Sequence, residues 1–269
     1  TGLHAAQITT EDMTMTNETT IQKLIEMRLP AMAEAFRDQQ QEHSWEQCSF
    51  EERFGVLVDL EFTSRKNNRL KRLIQQAGFD QTQACVADIN FTPVRKLDKA
   101  TIERLATCQY IEQGHNVILM GPSGAGKSYL ACALGMEACK HYYSVKYIRL
   151  PELLTELAIA RGEGDYKKVL HQYRKVSLLV LDEWMLLSLT ETEARDVLEI
   201  VHSRHKRAST IFCSQFAPAG WHGKIGEATL ADAILDRIVH DSYTIQIRNG
   251  DDERSMREVY GINAKKSQI

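Results

Sequence analysis

One short stretch, residues 116–128, limits what this chain can fold into more than any other. Its sequence is Asn-Val-Ile-Leu-Met-Gly-Pro-Ser-Gly-Ala-Gly-Lys-Ser. The consecutive apolar residues 117–120 are typical of a strand that is buried on both faces of a parallel sheet. The segment that follows the glycines, 129–141, is rich in alanine and leucine and contains no proline, which predicts a helix. A glycine-rich loop between a buried strand and a helix predicts an α/β fold.

The loop fits the pattern G-x-x-x-x-G-K-[ST], which is typical of a nucleoside triphosphate site. Small residues let the backbone wrap a phosphate chain closely, so that its N–H groups and the helix N-terminus point at the anion. Lys127 would bring a charge to the β- and γ-phosphates, and the Ser128 hydroxyl is a hard oxygen ligand for Mg²⁺. The expected cofactors are ATP and Mg²⁺. The predicted ATP-binding residues are Gly121, Pro122, Ser123, Gly124, Ala125, Gly126, Lys127, Ser128 and Tyr129.

A second stretch, residues 178–183, reads Leu-Leu-Val-Leu-Asp-Glu and predicts another buried strand that ends in two carboxylates. Ligands bind at the carboxyl ends of the strands in an open parallel sheet. Asp182 could hold Mg²⁺ there, directly or through water, and Glu183 could orient or deprotonate an attacking water. A helix N-cap is the alternative for such acids. The phosphate loop earlier in the chain favours the catalytic interpretation.

Two further side chains, Gln215 and Arg237, are catalytic candidates beside Lys127, Asp182 and Glu183. Gln215 ends an apolar strand predicted over 209–215, where it could bond the γ-phosphate or the attacking water, or simply end the strand. Arg237 lies at the edge of the apolar face of a predicted helix. It could snorkel over that face, pair with an acid one turn later at position 241, or present its charge to a neighbouring subunit's nucleotide.

The chain before the phosphate loop is predicted to be mainly helical. Thr20 is expected to cap a first helix, which Pro30 bends or restarts. Ser49 and Glu52 form a capping-box pattern that opens a long helix ending at Gly78. The predicted divisions are 1–19, a disordered lead or expression-tag remnant; 20–80, a small all-helical DNA-binding domain; 81–100, a linker; 101–262, the ATPase domain; and 263–269, a tail.

Clusters of cations are the candidates for DNA binding. No acid occurs between Thr63 and Gln76, so this part of the long helix is either a solvated basic face or a surface that contacts phosphates. Without interleaved aromatic residues, such contact would be largely with the DNA backbone. Residues 161–168 are predicted to form a loop, either a plain connection or a mobile DNA-facing one. The candidate residues are Arg65, Lys66, Arg69, Lys71, Arg72, Arg161, Lys167 and Lys168.

Composition excludes several classes of protein. The net charge of −3 argues against indiscriminate nucleic-acid binding, although a local basic patch could still bind DNA. No apolar run approaches the roughly 20 residues of a membrane span, and no secretory signal pattern opens the chain, so no membrane partner is expected. The six cysteines occur singly, which predicts buried thiols in a reducing compartment rather than a disulfide or zinc framework. A cytoplasmic location is expected.

The alternation of strands and helices predicts a three-layer α/β P-loop domain with a parallel sheet. Small-molecule kinases share the phosphate loop, so the loop by itself leaves the class open. Glu183 favours hydrolysis, because a kinase must exclude an activated water. The chain contains neither the N-K-x-D motif of GTPases nor the L-S-G-G-Q motif of transporter ATPases. ATP hydrolysis is the expected reaction.

Several strings together resemble the IstB family of transposition helper ATPases, which belongs to the AAA+ class and is similar to the helicase loader DnaC. The resemblance implies a small helical domain followed by an AAA+ domain. It further implies an ATP-dependent homo-oligomer, with ATP at subunit interfaces, that binds double-stranded target DNA and recruits or stimulates a partner transposase. The strings, within a resemblance that spans about 20 to 260, are 49–53, 116–128, 178–183, 209–215 and 233–240.

The same resemblance implies roles for individual residues. Gln215 matches the sensor position, where the family more usually has asparagine, and Arg237 matches the arginine finger. Arg257 is a candidate second sensor. This chain departs from the family pattern at Trp184 and Met185, which stand where the family often has a Gly-Tyr-like turn. It also departs over 248–253, which is more acidic than the usual short Gly-Glu.

Two other functions stay open at this point. The nearer one is a DnaC-type replicative helicase loader, which shares the ATPase core. Stimulation of a transposase, rather than docking to a helicase, would separate the two. The more distant one is a P-loop kinase of small molecules, for which γ-phosphate would pass to a metabolite without any response to DNA.

Overall fold

The computed structural model describes residues 10–92, 95 and 97–248. By their mutual contacts the residues fall into two units, Thr1–Lys71 and Arg72–Ile269. The boundary between the units lies inside a single long helix, Phe50–Ala77.

The described part of the first unit is helical. Ile21 is buried, and so are Ala33 and Ala35 on the next helix, so small and branched apolar side chains form the contact between the first two helices. Pro30 is at the first position of its helix, where its missing N–H costs nothing. The elements are α1 Thr10–Glu26, α2 Pro30–Gln41, a short 3₁₀ helix His43–Gln47, and α3 Phe50–Ala77.

The start of α1 corrects two predictions. Helix α1 begins at Thr10, so Thr20 lies inside it and not at its N-cap, and residues 10–19 are helical rather than a disordered lead. Threonine-rich composition is only a weak prior against helix, and the packing of Ile21 overrides it. Residues 1–9 lie outside the described part of the chain.

The capping box predicted for α3 is confirmed. The Ser49 N–H donates to Glu52 Oε2 at 2.8 Å, and the Glu52 N–H donates to Ser49 Oγ at 3.2 Å. This reciprocal pair satisfies two of the N–H groups that a helix N-terminus leaves unpaired.

The second unit contains the sheet. The strands Asn116–Met120, Leu178–Asp182 and Ser209–Ser214 are short and almost wholly buried, as their apolar runs predict. The described elements, after a 3₁₀ turn Val86–Asp88, are α4 Lys99–Ala106, α5 Gln109–Glu112, β1 Asn116–Met120, α6 Lys127–Lys140, β2 Val145–Arg149, α7 Leu150–Glu163, α8 Tyr166–Lys175, β3 Leu178–Asp182, α9 Glu191–Arg204, β4 Ser209–Ser214, α10 Pro218–Ile225, α11 Ala228–Val239 and β5 Ser242–Gln246.

The five strands are all parallel, in the order β2-β3-β4-β1-β5. Successive residues of a strand point to opposite faces. Residues such as Ile118, Leu181 and Phe212 join the core formed with helices α7 to α11, while α6 packs against the sheet with small buried residues such as Ala131 and Ala138. The predicted three-layer α/β fold with a parallel sheet is confirmed.

The strand order decides where the sequence motifs meet. Strand β4 lies between β1 and β3, so the carboxyl ends of these three strands are side by side. The phosphate loop follows β1, Asp182 ends β3 and Gln215 follows β4. The two motifs that are far apart in the chain therefore come to one edge of the sheet.

Trp184 and Met185, the departures after Glu183, are both fully buried. The Trp184 ring packs edge-on against Phe212 with centroids 4.6 Å apart, and against Trp221 at 5.8 Å. This large apolar pair, which stands where the resemblance predicts a Gly-Tyr-like turn, is part of the core. Hydrophobic burial thus anchors the turn that carries Glu183.

The prediction of a loop over 161–168 is wrong. Helix α7 continues to Glu163 and α8 begins at Tyr166, so only residues 164 and 165 connect them. Gly164, at φ +83°, is the C-cap of α7 and allows the sharp turn. The glycine at 162 disfavours a helix by about 1 kcal/mol, but Leu157 and Ala160 are buried and hold α7 in place.

Within the described residues, no helix combines the length and the apolar character needed to cross a membrane.

Candidate nucleotide site

A cavity of about 580 Å³ opens at the carboxyl edge of the sheet. The phosphate loop forms one wall, the ends of β2, β3 and β4 form the floor, and the segment before α4 closes the other side. Its lining residues are Asp80, Gln81, Asp88, Ile89, Asn90, Arg95, Leu97, Ser123, Gly124, Gly126, Lys127, Ser128, Tyr129, Leu130, Tyr147, Arg149, Asp182, Glu183, Trp184, Leu186, Cys213 and Gln215.

The phosphate loop needs its glycines for two reasons. At Gly121 an added Cβ would lie 2.4 Å from the Ile247 carbonyl oxygen, so the backbones approach too closely for any side chain. Gly126 has φ +92°, in the left-handed region, and caps the N-terminus of α6. The helix begins at Lys127, two residues earlier than the predicted 129, so its N-terminus opens directly into the cavity.

The charge of Lys127 is held at the mouth of this loop. Lys127 is only 8% exposed, and its Nζ donates to the Gly121 and Pro122 carbonyls, both at 2.8 Å. An ammonium that is held by loop carbonyls and lines the cavity brings positive charge to the place where an anionic ligand would lie. This is the position that the sequence motif predicts for a phosphate-binding lysine.

Asp182 is buried at 5% exposure and has a hydrogen-bond donor on each carboxylate oxygen. The Glu183 N–H donates to Oδ1 at 2.7 Å, and the Tyr147 hydroxyl donates to Oδ2 at 2.6 Å. Burial, reinforced by Asp182, raises the pKa of the Tyr147 phenol, so the hydroxyl keeps its proton and acts only as a donor to the carboxylate.

Glu183 stands in a strained backbone position, at φ +53°. Its side chain is 38% exposed and Oε1 lies 3.9 Å from a guanidinium nitrogen of Arg149. A hydrogen bond to Glu152, together with the charges of Glu152 and Glu183, raises the pKa of Arg149. Non-glycine residues in this region cluster at functional sites, and here the turn directs a carboxylate into the cavity.

Of the remaining catalytic candidates, the structure brings Gln215 to the cavity but not Arg237. Gln215 is exposed at the rim beyond β4. Arg237 is half-buried on α11, where it donates to the Ala233 carbonyl at 2.6 Å and to His202 Nδ1 at 3.3 Å. The predicted partner Asp241 lies instead 3.8 Å from Lys206. Arg257 lies outside the described residues.

The cavity also contains residues that the motifs do not mark. The segment predicted as a linker supplies Gln81, Asp88 and Asn90 to the wall, and Asp80 directly before it also lines the cavity. Arg95 is buried, and its guanidinium donates to the Asn90 carbonyl at 2.9 Å and to the Ala125 carbonyl of the phosphate loop at 2.7 Å. No pattern in the sequence of this segment indicates its role, because the role depends on a contact with a loop thirty residues later.

Two of the cations proposed for DNA on α3 already have partners. Arg65 Nε donates to Glu61 Oε1 at 2.7 Å, and its terminal nitrogen donates to the Arg28 carbonyl at 2.6 Å. Lys66 Nζ lies 4.4 Å from the centroid of the Phe62 ring. Glu61 in turn accepts from two N–H groups of the first turn of α2. Arg65 therefore serves to hold the helices of the first unit together.

The second group of candidate DNA-binding cations consists of Arg161, Lys167 and Lys168, and these too differ in their surroundings. Arg161 donates to the buried Asp196 carboxylate at 2.5 Å and lies over the Tyr166 ring, so it packs α7 against its neighbours. Helix α8 buries Leu170 and Tyr173 on one face. Its opposite, exposed face carries Lys167, Lys168, His171, Arg174 and Lys175, of which Lys168 pairs with Asp165 at 3.5 Å. Helix α8 thus has a basic face that the sequence pattern over 161–168 revealed only in part.

Comparison with known proteins agrees with this site. The family model described as IstB-like ATP binding protein matches residues 22–259. The chain belongs to this family. The insertion-sequence ATP-binding protein y4pL of Sinorhizobium fredii (strain NBRC 101917 / NGR234) is 40% identical over 238 residues, which are 88% of this chain and 97% of that protein. The ATP-binding protein of insertion sequence IS1162 from Pseudomonas fluorescens is 41% identical over 201 residues, or 75% of this chain and 87% of that protein.

Solved structures show the same fold at low sequence identity. The crystal structure of DnaI has a TM-score of 0.54 at 22% identity and covers 66% of this chain and 93% of that chain. The DnaC helicase loader has a TM-score of 0.51 at 20% identity, with 61% and 96% covered. DnaA from Aquifex aeolicus, bound to AMPPCP, has a TM-score of 0.55 at 18% identity, with 71% and 57% covered. This member of the IstB-like family is an ATP-binding protein with an AAA+ fold.

Proposed function

We propose that this protein is an ATP-hydrolysing, DNA-binding AAA+ oligomer that assembles on target DNA and recruits or stimulates a partner transposase. The observation that carries the proposal is the convergence of Lys127, Ser128, Asp182 and Glu183 on one cavity at the carboxyl edge of the sheet. The relatives' names, which link them to insertion sequences and to ATP, support the setting. The proposed location is the cytoplasm, where ATP and DNA are both available.

In the proposed mechanism, different residues of the cavity bind the triphosphate, the Mg²⁺ and the γ-phosphate or attacking water. The loop N–H groups, the N-terminus of α6 and Lys127 bind the triphosphate. Ser128 and Asp182 offer the hard oxygen ligands that Mg²⁺ prefers, and both line the cavity. When bound, Mg²⁺ would neutralise charge that develops on the phosphoryl oxygens. Gln215, at the rim, is placed to bond the γ-phosphate or the attacking water.

Glu183 is the proposed general base. Its carboxylate lies in the cavity, next in sequence to Asp182, and Arg149 lies near enough to help hold it. A base of this kind contributes about 10²- to 10⁴-fold to a rate. Glu183→Gln should therefore keep ATP binding while losing turnover by about 10²-fold or more, measured as steady-state phosphate release.

A matched control for this experiment is Glu152→Gln. Glu152 contacts the same arginine but does not line the cavity. The Glu152→Gln variant should keep ATP turnover within about twofold of the parent, as expected for an exposed surface substitution. Near-normal phosphate release by Glu183→Gln would exclude Glu183 as the base.

For DNA, we propose as candidates two basic surfaces whose cationic side chains are exposed. One is the group Arg69, Lys71 and Arg72 on α3, and the other is the exposed face of α8. Phosphate contacts make log K fall with log salt, with a slope of about −0.9 per phosphate neutralised. Substituting the three α3 residues by glutamine in one variant, and Lys167, Arg174 and Lys175 in another, should flatten the slope for whichever surface binds duplex DNA.

The design has its own internal control, because each triple variant is the reference for the other. Contacts to the DNA backbone carry no sequence information. The triple variant that removes the DNA-binding surface should therefore weaken binding equally on duplexes of unrelated sequence. If both variants keep the parental slope and affinity, neither surface is the DNA site.

The transposition step is tested directly with the transposase encoded by the same insertion sequence. Strand transfer into a target plasmid should rise when this protein and ATP are added, and Glu183→Gln should alter that response. Loading of a replicative helicase with no effect on the transposase would replace the transposition function with that of a helicase loader. Transfer of γ-phosphate to a metabolite would replace it with a kinase.

A further inference from the structure

The hydroxyl of Tyr147 reaches Asp182 because of the register between β2 and β3. In that register Arg149 lies opposite Asp182, and Tyr147 lies opposite Val180. Residues two apart in a strand share a face, so the Tyr147 and Asp182 side chains are diagonal neighbours on one face of the sheet. A tyrosine is long enough to span that diagonal, and its hydroxyl meets Asp182 Oδ2 at 2.6 Å.

This contact belongs to the nucleotide cavity and to its buried floor. Tyr147 is 7% exposed and Asp182 is 5% exposed, and both line the cavity. A hydroxyl that donates to a carboxylate at this distance is a charge-assisted hydrogen bond, which is roughly twice as strong as a neutral one. Because both side chains are largely buried, solvent has little access to replace this bond.

The two donors on Asp182 together fix its plane. A carboxylate rotates freely about its last bond unless its oxygens are held. Here the Glu183 N–H holds Oδ1 and the Tyr147 hydroxyl holds Oδ2. A carboxylate has about four acceptor sites, so one donor on each oxygen leaves the remaining lone pairs for another ligand.

We infer that Tyr147 is a positioning residue, which orients the Asp182 carboxylate for a divalent cation that binds with the nucleotide. The inference rests on the proposed role of Asp182 as an Mg²⁺ ligand. Partners that orient a ligating carboxylate typically account for about 10- to 100-fold in metal affinity. Without the hydroxyl, the donor that remains to Asp182 within the described residues is the N–H of its chain neighbour Glu183.

The test is Tyr147→Phe in the full chain, which removes the hydroxyl and keeps the ring that packs in the floor. A fluorescent, non-hydrolysable ATP analogue is titrated with MgCl₂, and the half-saturating Mg²⁺ concentration is read from the binding signal. We expect this concentration to rise by about 10-fold or more. Binding of the analogue in EDTA should stay within about twofold of the parent, because the lysine and the loop are untouched.

Tyr173→Phe is the matched control. Tyr173 is also a buried tyrosine whose hydroxyl donates to a carboxylate, that of Glu156, but it does not line the cavity. Tyr173→Phe should lower thermal stability about as much as Tyr147→Phe does, and it should leave the Mg²⁺ titration unchanged. Tyr147→Met is a second variant without the hydroxyl, in case phenylalanine packs poorly at this position.

Asp182→Asn separates the failure of this inference from the failure of the proposed function. If Asp182→Asn raises the Mg²⁺ requirement and Tyr147→Phe does not, Tyr147 has only a structural role and the inference is overturned. If neither variant changes the Mg²⁺ requirement, Asp182 is not the ligand, and both the inference and that part of the proposed function fall. A shift in both, with Tyr173→Phe unshifted, supports the inference.

Discussion

Ser214, at the end of β4, is a side chain whose removal should disturb the whole edge of the nucleotide site. Its hydroxyl donates to the Trp184 carbonyl at 2.9 Å and accepts from the Phe216 N–H at 3.1 Å and from the Trp221 indole N–H at 3.0 Å. It thereby joins the turn after Glu183 to the turn that carries Gln215. The perturbation that tests this link is Ser214→Ala.

The expected loss of stability follows from which partners are left without a bond. The Trp221 indole keeps a second acceptor, the Phe216 carbonyl, at 3.0 Å. The Trp184 carbonyl belongs to a fully buried residue, so the loss of its donor should lower stability by about 1–3 kcal/mol. Phe216 is 37% exposed, so the loss of the acceptor for its N–H should lower stability by about 1 kcal/mol or less. The sum is about 1–4 kcal/mol, or a fall of roughly 2–16 °C in Tm for a unit of this size.

Ser209→Ala, at the other end of the same strand, is the control. Ser209 is equally buried and its hydroxyl donates to the Tyr110 carbonyl at 3.0 Å, but that carbonyl also accepts from the His115 N–H at 2.9 Å. Its loss should cost only about 0.5–1.5 kcal/mol, because no buried group is left unpaired.

The assay is thermal and urea unfolding of both variants, followed by steady-state ATP turnover well below the unfolding transition. Ser214→Ala should lose clearly more stability than Ser209→Ala and should also lose turnover, since the turns bearing Glu183 and Gln215 lose a shared anchor. Equal destabilisation by the two substitutions, or unchanged turnover in Ser214→Ala, would refute the reasoning.

Three further outcomes are expected. Lys127→Ala should weaken nucleotide binding by about 10- to 100-fold in a titration, while Lys140→Ala, at the far end of α6, should not. Arg237→Ala mixed with Lys127→Ala should recover up to about a quarter of parental turnover if a finger acts in trans, and mixtures that co-assemble but stay inactive would exclude one. Arg65→Gln should cost the first unit about 1 kcal/mol in urea unfolding and leave the salt slope of DNA binding unchanged.

Much of the second unit was predictable from local patterns. Buried strands, their polar ends and the helix after the glycines each depend on residues close in sequence. The capping box at Ser49 and the loop at 121–128 were predictable for the same reason. Their hydrogen bonds and backbone angles depend on residues within one or two helical turns. The ends of elements were less predictable, and the start of α1 and the turn at Gly164 differ from the prediction because tertiary packing overrides weak propensities.

The roles of individual cations were not predictable. Arg65, Arg69 and Arg161 look alike in the sequence, since each is a basic residue in a polar stretch. Glu61 is one helical turn from Arg65, but only the fold shows that Arg65 also meets the Arg28 carbonyl and that Arg161 meets Asp196. Charge by itself predicts a surface, whereas these two partners lie 37 and 35 residues away in the chain.

The sequence by itself determined that this chain binds a triphosphate, because the phosphate loop and the acids after β3 carry their chemistry in consecutive residues. Only the tertiary structure decided what surrounds them. Tyr147 reaches Asp182 through the register of two parallel strands, and Arg95 reaches the Ala125 carbonyl of the phosphate loop. Such contacts join positions far apart in the chain, so they exist only once strand order and burial have brought those positions together.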